Sequence, residues 1–366
     1  MQEGREVRRP SRRLSRRGII ALFCLVALAA AAVVLGFTML SGSPATEAVL
    51  LPFSSSSEYG FTDRGIMAIT GETLLLCSTR GEERWEIPLS NAGCSLATGP
   101  TYGVIYTDSI VQAIDTDGNA LFPSLEFSGT VLNVQCGAST FGVYKSESDG
   151  STYIYLYDLA GNRLDRLSLN NPLLNFGFYG SADTLWTLMI NTDSSLPVCT
   201  ISTYNVATHA DTGAMTKEGQ IIERVYFGGS SIYAAGTNHL IVYTAAGQES
   251  SSTLIYGWKV LDCSLSGSSA QFLLSLRQES SSSASTAAKV LNLSTGSEST
   301  FRLPAGTLGA FFSGSRILVA QAGRISYYSA SGDLQSVRPL EFTADAARKE
   351  NGYILLASGE SLYLIP

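Results

Sequence analysis

Histidine is almost absent from this 366-residue chain, and charged residues make up only 15% of it. Its two histidines, His209 and His239, have no acidic or cysteine partner at the spacing of a catalytic or metal-binding motif. The sequence also lacks a phosphate-binding glycine loop, a nucleophile elbow and a zinc-ligand spacing. These absences favour a protein without catalytic residues, and we expect neither a metal ion nor a cofactor.

Basic residues are scarce after residue 17. Of the 24 basic and 31 acidic residues, seven arginines and two glutamates lie in residues 1–17, which leaves 17 basic and 29 acidic residues for the remainder. A remainder with a net charge of −12 lacks the basic footprint that nucleic-acid binding needs. The arginine-rich start directly precedes an apolar stretch, so we interpret it as a signal for membrane orientation.

That apolar stretch, residues 19–40, has the sequence IIALFCLVALAAAAVVLGFTML and carries no charge over 22 residues. A helix of this length spans about 33 Å, enough to cross the hydrocarbon core of a bilayer. We therefore predict a cytoplasmic tail (1–18), a transmembrane helix (19–40) that contacts the lipid bilayer, a linker (41–47) and an extracellular domain (48–366), in a single-pass protein of the cell membrane. The alternative is a cleaved signal peptide, with SGSPATEA at 41–48 offering the small residues that a peptidase needs.

From about residue 58 onward the chain consists of short apolar runs separated by turn signals, with no convincing helical period. The runs alternate with period two and are rich in β-branched and aromatic residues, which predicts β-strands. A turn between two such strands recurs seven times at intervals of 36 to 49 residues, at Gly81, Gly118, Gly161, Thr208, Gly247, Gly296 and Gly332. Glycine suits this turn because a tight hairpin requires a positive φ.

A second repeat precedes the turns: an apolar pair followed by a polar or small residue. It reads VLN, LLN, IIE, VLD and TLG, ending at residues 133, 175, 223, 262 and 309. Four strands in each unit of about 40 residues indicate an all-β β-propeller. The last unit lacks its fourth strand, and the isolated apolar piece 48–54 would supply it. We therefore predict eight four-stranded blades, closed by residues 48–54, with seven blades as the alternative.

One set of polar side chains in this second repeat is a candidate binding site. Asn133, Asn175, Glu223 and Asp262 take matching places on the predicted first strands of four consecutive blades, and first strands line the central channel of a propeller. Carboxylates and amides in half a ring could hold a hard cation or a polar ligand at one mouth of the channel.

Five cysteines follow the apolar stretch: Cys77, Cys94, Cys136, Cys199 and Cys263. An odd number cannot all pair within one chain. Cys94 with Cys136 is a conceivable bridge between adjacent blades, whereas small buried thiols are the alternative for all five. The polar loops SESDGS (146–151) and QESSSSAST (278–286) fall between second and third strands on one face of the ring, where a partner could bind.

Turns such as IDTDGNAL, YDLAGNRL and STRGEERW resemble those of quinoprotein-like (PQQ-like) propellers. The whole layout resembles an uncharacterised family of membrane-anchored propellers from Clostridia-type Gram-positive bacteria. Only three tryptophans are present, so the quinoprotein tryptophan repeats are missing and cofactor binding is not implied. The scarcity of histidine, together with the lack of paired acidic residues at a known spacing and of tryptophan motifs, favours an extracytoplasmic binding or scaffold module for a protein or cell-envelope partner, with a quinoprotein-like or hydrolytic enzyme as the alternative.

Overall fold

The computed structural model describes residues 48–181, 183–266, 269–277 and 286–365. These residues form eight antiparallel sheets of four strands each, arranged as the blades of a propeller. The predictions for residues 1–47, which are the tail, the transmembrane helix and the linker, lie outside the described part. Within that part there is no helix long and apolar enough to cross a membrane.

Each blade is numbered in chain order, and its strands are named A to D from the channel outward. Blade 1 contains β2 (Tyr59–Thr62), β3 (Gly65–Thr70), β4 (Thr73–Cys77) and β5 (Glu83–Pro88). Blade 2 contains β6 (Ser95–Thr98), β7 (Tyr102–Tyr106), β8 (Ile110–Asp115) and β9 (Leu125–Glu126). Blade 3 contains β10 (Thr130–Cys136), β11 (Thr140–Ser146), β12 (Thr152–Asp158) and β13 (Arg163–Ser168). Blade 4 contains β14 (Leu173–Tyr179), β15 (Thr184–Asn191), β16 (Val198–Asn205) and β17 (Ala210–Glu218).

The second half of the ring repeats the same order. Blade 5 contains β18 (Ile222–Gly228), β19 (Ser231–Gly236), β20 (His239–Thr244) and β21 (Glu249–Leu254). Blade 6 contains β22 (Trp258–Ser266), β23 (Ser269–Leu276), β24 (Thr286–Asn292) and β25 (Ser297–Leu303). Blade 7 contains β26 (Thr307–Ser313), β27 (Arg316–Gln321), β28 (Arg324–Tyr328) and β29 (Leu334–Pro339). Blade 8 contains β30 (Ala346–Glu350), β31 (Tyr353–Ser358), β32 (Ser361–Ile365) and, as its outer strand, β1 (Val49–Ser54).

The prediction of eight blades is confirmed, and the two ends of the propeller meet in blade 8. Strand β1 pairs antiparallel with β32, with Val49 opposite Leu364 and Ser54 opposite Ser361. Its buried side chains, Leu51 and Phe53, pack against blade 1. Pro52 lies where the pairing register shifts, which an outer strand tolerates because its other edge has no partner. Residues 48–54 thus take the place that the sequence predicts for them.

The seven recurrent turns all connect C and D strands. Six have glycine in the left-handed region, for example Gly118 at φ 88° and Gly161 at φ 81°. In blade 4 the left-handed residue is His209, at φ 52°, and not Thr208 as the repeat suggested. The reason is loop length. Three residues separate Asn205 from His209 in this turn, whereas two residues separate Asp158 from Gly161 in the turn of blade 3.

One apolar cluster fills each of the eight junctions between neighbouring blades. Between blades 2 and 3, for example, Tyr102 and Val104 pack against Phe141 and Val143, and all four are fully buried. The junction of blades 8 and 1 is filled in the same way, so the core runs around the whole ring. Strand alternation explains this, since each sheet presents one apolar face to each neighbour.

The alternating strand directions give the ring two distinct faces. The D–A face consists of the loops from each outer strand to the next inner strand, together with the B–C turns. The A–B face consists of the A–B and C–D turns. Because Val49 pairs near the end of β32 and Ser54 pairs at its start, residue 48 lies at the A–B face.

Candidate functional site

The four predicted site residues lie on inner strands of blades 3 to 6, but only three of them are equivalent. The inner strands of these blades and of blade 7 each contain a β-bulge near their start. Asn133, Asn175 and Asp262 directly follow the bulged residue, whereas Glu223 is itself the bulged residue. Arg224 takes the matching place in blade 5, so the predicted equivalence is wrong for Glu223.

This misalignment comes from the triplet IIE. In blades 3 and 6 the first residue of the triplet is buried, as Val131 and Val260 are. In blade 5 that place belongs to the second residue, Ile222, which is 3% exposed, while Ile221 lies before the strand and is 43% exposed. A one-residue slip in register changes which side chains share a face.

Both carboxylates of the predicted site already have cationic partners. The guanidinium of Arg277 donates to both carboxylate oxygens of Glu223, at 2.7 and 2.5 Å, and this hydrogen bonding raises the pKa of Arg277. Asp262 accepts from Lys349 at 2.7 Å and from the backbone N–H of Phe312 at 2.7 Å. Among the described residues, no group of three or more His, Cys, Asp and Glu side chains could hold a metal ion.

The Asp262–Lys349 pair joins three inner strands across the channel wall. Asp262 belongs to blade 6, Phe312 to blade 7 and Lys349 to blade 8. Lys349 Nζ also donates to the carbonyl of Phe312 at 3.0 Å, so the pair satisfies both backbone groups on the free inner edge of that strand. The two side chains are only 14% and 19% exposed. This arrangement stabilises the channel wall, because buried backbone groups without partners are costly.

The two asparagines make only local contacts. Asn133 Oδ1 accepts a long hydrogen bond of 3.4 Å from the hydroxyl of Tyr106, in the neighbouring blade. Asn175 is exposed, and its Oδ1 accepts from the backbone N–H of Phe176 at 2.9 Å. The four predicted side chains therefore have four separate environments, and shared ligand binding by them stays a prediction.

A cavity of about 400 Å³ opens at the A–B face, where the inner strands of blades 8, 1, 2 and 3 end. Gly60 and Gly99 form part of its wall, and a side chain at Gly60 would collide with Thr98. The charged residues in the lining are Asp63 and Glu350. Cys136 also reaches the wall, and burial raises the pKa of its thiol to about 12, so it is a poor nucleophile.

The D–A face carries a second feature, made by the bulges. The bulged residue is leucine in four of the five blades, and we call Leu132, Leu174, Leu261 and Leu308 the leucine arc. Leu132 and Leu174 are 47% and 48% exposed, and the other two are half-buried. A bulge turns the extra side chain out of the pairing pattern, which explains why leucines within strands face solvent.

Further exposed apolar side chains extend the leucine arc on the same face. Leu196 in a B–C loop of blade 4, Ile221 before blade 5 and Tyr256 before blade 6 are 49%, 43% and 74% exposed. In the described residues, none of the large exposed apolar side chains belongs to an A–B or C–D turn. Clustered exposed apolar residues on one face are typical of interaction surfaces. In the sequence the positions of the leucine arc are marked only by the second residue of the repeated triplet, which coincides with the bulge in four of the five blades.

A polar cluster that the sequence did not predict ties blade 3 to blade 4. Asp165 on β13 accepts a hydrogen bond from the hydroxyl of Tyr204 on β16, and its Oδ2 lies 3.2 Å from Nδ1 of His209. The bond from Tyr204 lowers the pKa of Asp165. The cluster lies on the outer half of the ring, and nothing in the sequence pattern brings these positions together, because they are 39 and 44 residues apart.

The five described cysteines are free thiols. Cys94 precedes the first residue of β6 on the D–A side, whereas Cys136 ends β10 on the A–B side, so the conceivable bridge between them is not formed. Burial raises the pKa of Cys77 and Cys263 to about 12. These thiols behave as small apolar side chains.

Comparisons with solved structures show the propeller fold. BamB from Moraxella catarrhalis matches with a TM-score of 0.54 at 14% identity, over 87% of this chain and 95% of that chain. The WD40 domain of SCAP from fission yeast matches with a TM-score of 0.57 at 8% identity, over 86% and 96%. The computationally designed protein Ika8 gives 0.56 at 12% identity, over 87% and 99%.

No protein-family profile matches the chain, and no curated protein does. The likeness to solved structures, all at low identity, supports the β-propeller fold and carries no family assignment beyond it. The resemblance to quinoprotein-like propellers therefore stays a prediction.

Proposed function

We propose that this chain is a membrane-anchored, extracytoplasmic binding module that docks a protein partner on its D–A face. The observation that carries the proposal is the leucine arc with Leu196, Ile221 and Tyr256, which leaves apolar surface in water on one face. Propellers commonly serve as interaction scaffolds, and the absence of paired catalytic groups in the sequence agrees with that role.

The charge of the chain supports the membrane part of the proposal. The apolar stretch 19–40 follows seven arginines, which favours a tail on the cytoplasmic side and a propeller outside. Residue 48 lies at the A–B face, and the leucine arc lies on the opposite face.

The test is the size of the assembly that the full-length chain forms in its own membrane. The chain is extracted with its surrounding lipid in polymer-bounded discs and separated by native electrophoresis. We expect the wild type to migrate in an assembly larger than the lone chain, and the double variant Leu132→Asn, Leu174→Asn to migrate as the lone chain.

A matched control is available on blade 7. Leu334 and Val337 lie on its outer strand and are 57% and 48% exposed, so Leu334→Asn with Val337→Asn makes a similar change away from the D–A face. The control should keep the wild-type assembly. An arc variant that stays folded and stays in the assembly would overturn the proposed docking surface.

A further inference from the structure

The loops around the leucine arc are almost uniformly acidic. In the described D–A loops and B–C turns, every charged side chain except Arg277 is a carboxylate: Glu58, Glu72, Asp108, Glu147, Asp149, Asp193, Glu341, Asp345 and Glu360. All of these carboxylates are exposed except Glu147, which is half-buried. The single cation, Arg277, is bound to both oxygens of Glu223. The loops therefore present mostly negative charge, and of their carboxylates Glu147 is paired with Lys145 at 3.2 Å.

The opposite face has a different composition. Its described A–B and C–D turns contain both signs, with Arg64 paired to Asp117 at 2.5 Å and Arg80 near Glu82 in sequence. Among the described loop residues, the D–A face thus carries nine carboxylates against one cation, and the A–B face carries five carboxylates against two cations. An even distribution of charge would keep both faces soluble, whereas an excess of carboxylates on one face favours partners of positive charge there.

Four of the nine loop carboxylates border the exposed half of the leucine arc. Asp108 and the pair Glu147 and Asp149 lie in the B–C turns of blades 2 and 3, and Asp193 lies in that of blade 4. Leu132 and Leu174, the most exposed arc residues, belong to blades 3 and 4. Hydrogen bonds from Tyr155 and Lys145 lower the pKa of Glu147, which keeps it ionised at neutral pH. The exposed leucines thus lie on the inner strands, and the carboxylates lie farther from the channel in the B–C turns.

From this arrangement we infer that the partner docks through a cationic amphipathic segment, with apolar side chains on the leucine arc and lysines or arginines toward the loops of blades 2 to 4. This inference rests on the proposed function. A neutral or acidic segment would leave the exposed carboxylates of these loops without cationic partners, and an anionic lipid surface would be repelled by them. A second copy of this chain would bring its own acidic loops to the same contact.

The probe is a fluorescent amphipathic peptide of about 18 residues made only of leucine and lysine in a helical pattern. It is titrated against the full-length chain in discs of zwitterionic lipid, with empty discs subtracted. A leucine–glutamate peptide and a leucine–glutamine peptide of the same pattern are run in parallel. We expect the lysine peptide to bind at least tenfold more tightly than either of the others, and to lose most of that advantage in about 0.5 M salt.

Two sets of variants link this binding to the site. Asp108→Asn, Asp149→Asn and Asp193→Asn together should weaken binding of the lysine peptide about tenfold, and so should Leu132→Asn with Leu174→Asn. The matched control, Glu82→Gln with Asp117→Asn and Asp333→Asn, removes the same charge from exposed residues of the A–B face and should leave binding unchanged. Equal loss in the control would reduce the effect to net charge and overturn the inference.

The outcomes separate the inference from the proposed function. If all three peptides bind equally and only the leucine variants reduce binding, the docking surface stands and the cationic partner is wrong. If the leucine variants abolish self-association of the purified chain in sedimentation, the occupant is a second copy, which also overturns it. If no peptide binds and the leucine variants leave the size of the assembly in membranes unchanged, the inference and the proposed function fail together.

Discussion

A single carboxylate, Asp165, connects the outer strand of blade 3 with the C–D hairpin of blade 4. The hydroxyl of Tyr204, which is 8% exposed, donates to it, and His209 lies beside it in the left-handed position of the turn. Hydrogen bonds to ionised groups contribute about 1.5–3 kcal/mol in general. The side chain of Asp165 is 32% exposed, so solvent screening reduces the contribution here to about 1 kcal/mol.

We predict that Asp165→Asn lowers the free energy of unfolding by about 1 kcal/mol at pH 7. The pKa of Asp165 in the folded chain lies below its ordinary value of 3.8, so the stabilisation is complete above about pH 4 and disappears as the pH falls through the folded value. Urea unfolding at pH 7 and near pH 2 measures both ends. Asp211→Asn, an exposed carboxylate of the same hairpin, is the control, and a deficit that persists at low pH would refute this explanation.

At the residue scale, local patterns were readable and distant contacts were not. The turn glycines follow from backbone sterics within five residues, so the sequence was sufficient to find six of the seven. The register of Glu223 depends on where a bulge falls, and the partners of Asp262 come from blades 7 and 8. Such contacts arise only when the ring closes, which a reading of neighbouring residues does not capture.

At the scale of single elements, strand β1 carries the closure of the ring. Leu51 and Phe53 are 3% and 5% exposed, whereas Leu50, on the opposite side of the strand, is 55% exposed. The C–D turn of blade 1 also approaches this strand, because a Cβ at Gly81 would lie 2.5 Å from the carbonyl oxygen of Leu50. The strand therefore joins blades 8 and 1 through its buried face and through its outer edge.

We predict that Leu51→Ala costs about 2–5 kcal/mol of unfolding free energy, as large-to-small changes in cores do. Leu50→Ala in the same strand should cost less than about 0.5 kcal/mol. Chemical unfolding of both variants measures the difference.

A chain that begins at residue 58 should likewise melt below one that begins at residue 44 and associate through the open edge of β32. Equal stability of the two truncated chains would show that β1 does not hold the ring closed.

The bulges are the elements that sequence reasoning only partly anticipated. The repeated triplet marked their position in blades 3 to 7, because an apolar pair followed by a polar residue breaks the alternation of a strand. In blades 3 and 4 the second residue of the apolar pair is exposed because it is the extra residue of the bulge and is not paired with the neighbouring strand. Asp262, at the polar third position, is paired with Lys349, whereas the bulged residues Leu132 and Leu174 are 47% and 48% exposed.

At the scale of the whole molecule, eight similar units give a closed core and two unlike faces. The number of blades could be predicted because the same turn recurs once in each unit, and because the isolated strand at residues 48–54 matched the missing strand of the last unit. The difference between the faces could not, because it depends on which loops of distant units come together. The A–B face, where residue 48 lies, has mixed charge, whereas the D–A face combines acidic loops with the leucine arc.

The central claim is that a partner outside the membrane binds the D–A face, and in-cell photo-crosslinking tests it most directly. A photoreactive phenylalanine analogue is placed at Leu132 on the D–A face or at Ser315, an exposed position in an A–B turn. The proposal predicts one defined adduct from position 132 and none from position 315, and protease added to intact protoplasts should digest that adduct. Adducts from position 315 alone, or an adduct from position 132 that the protease cannot reach, would contradict it.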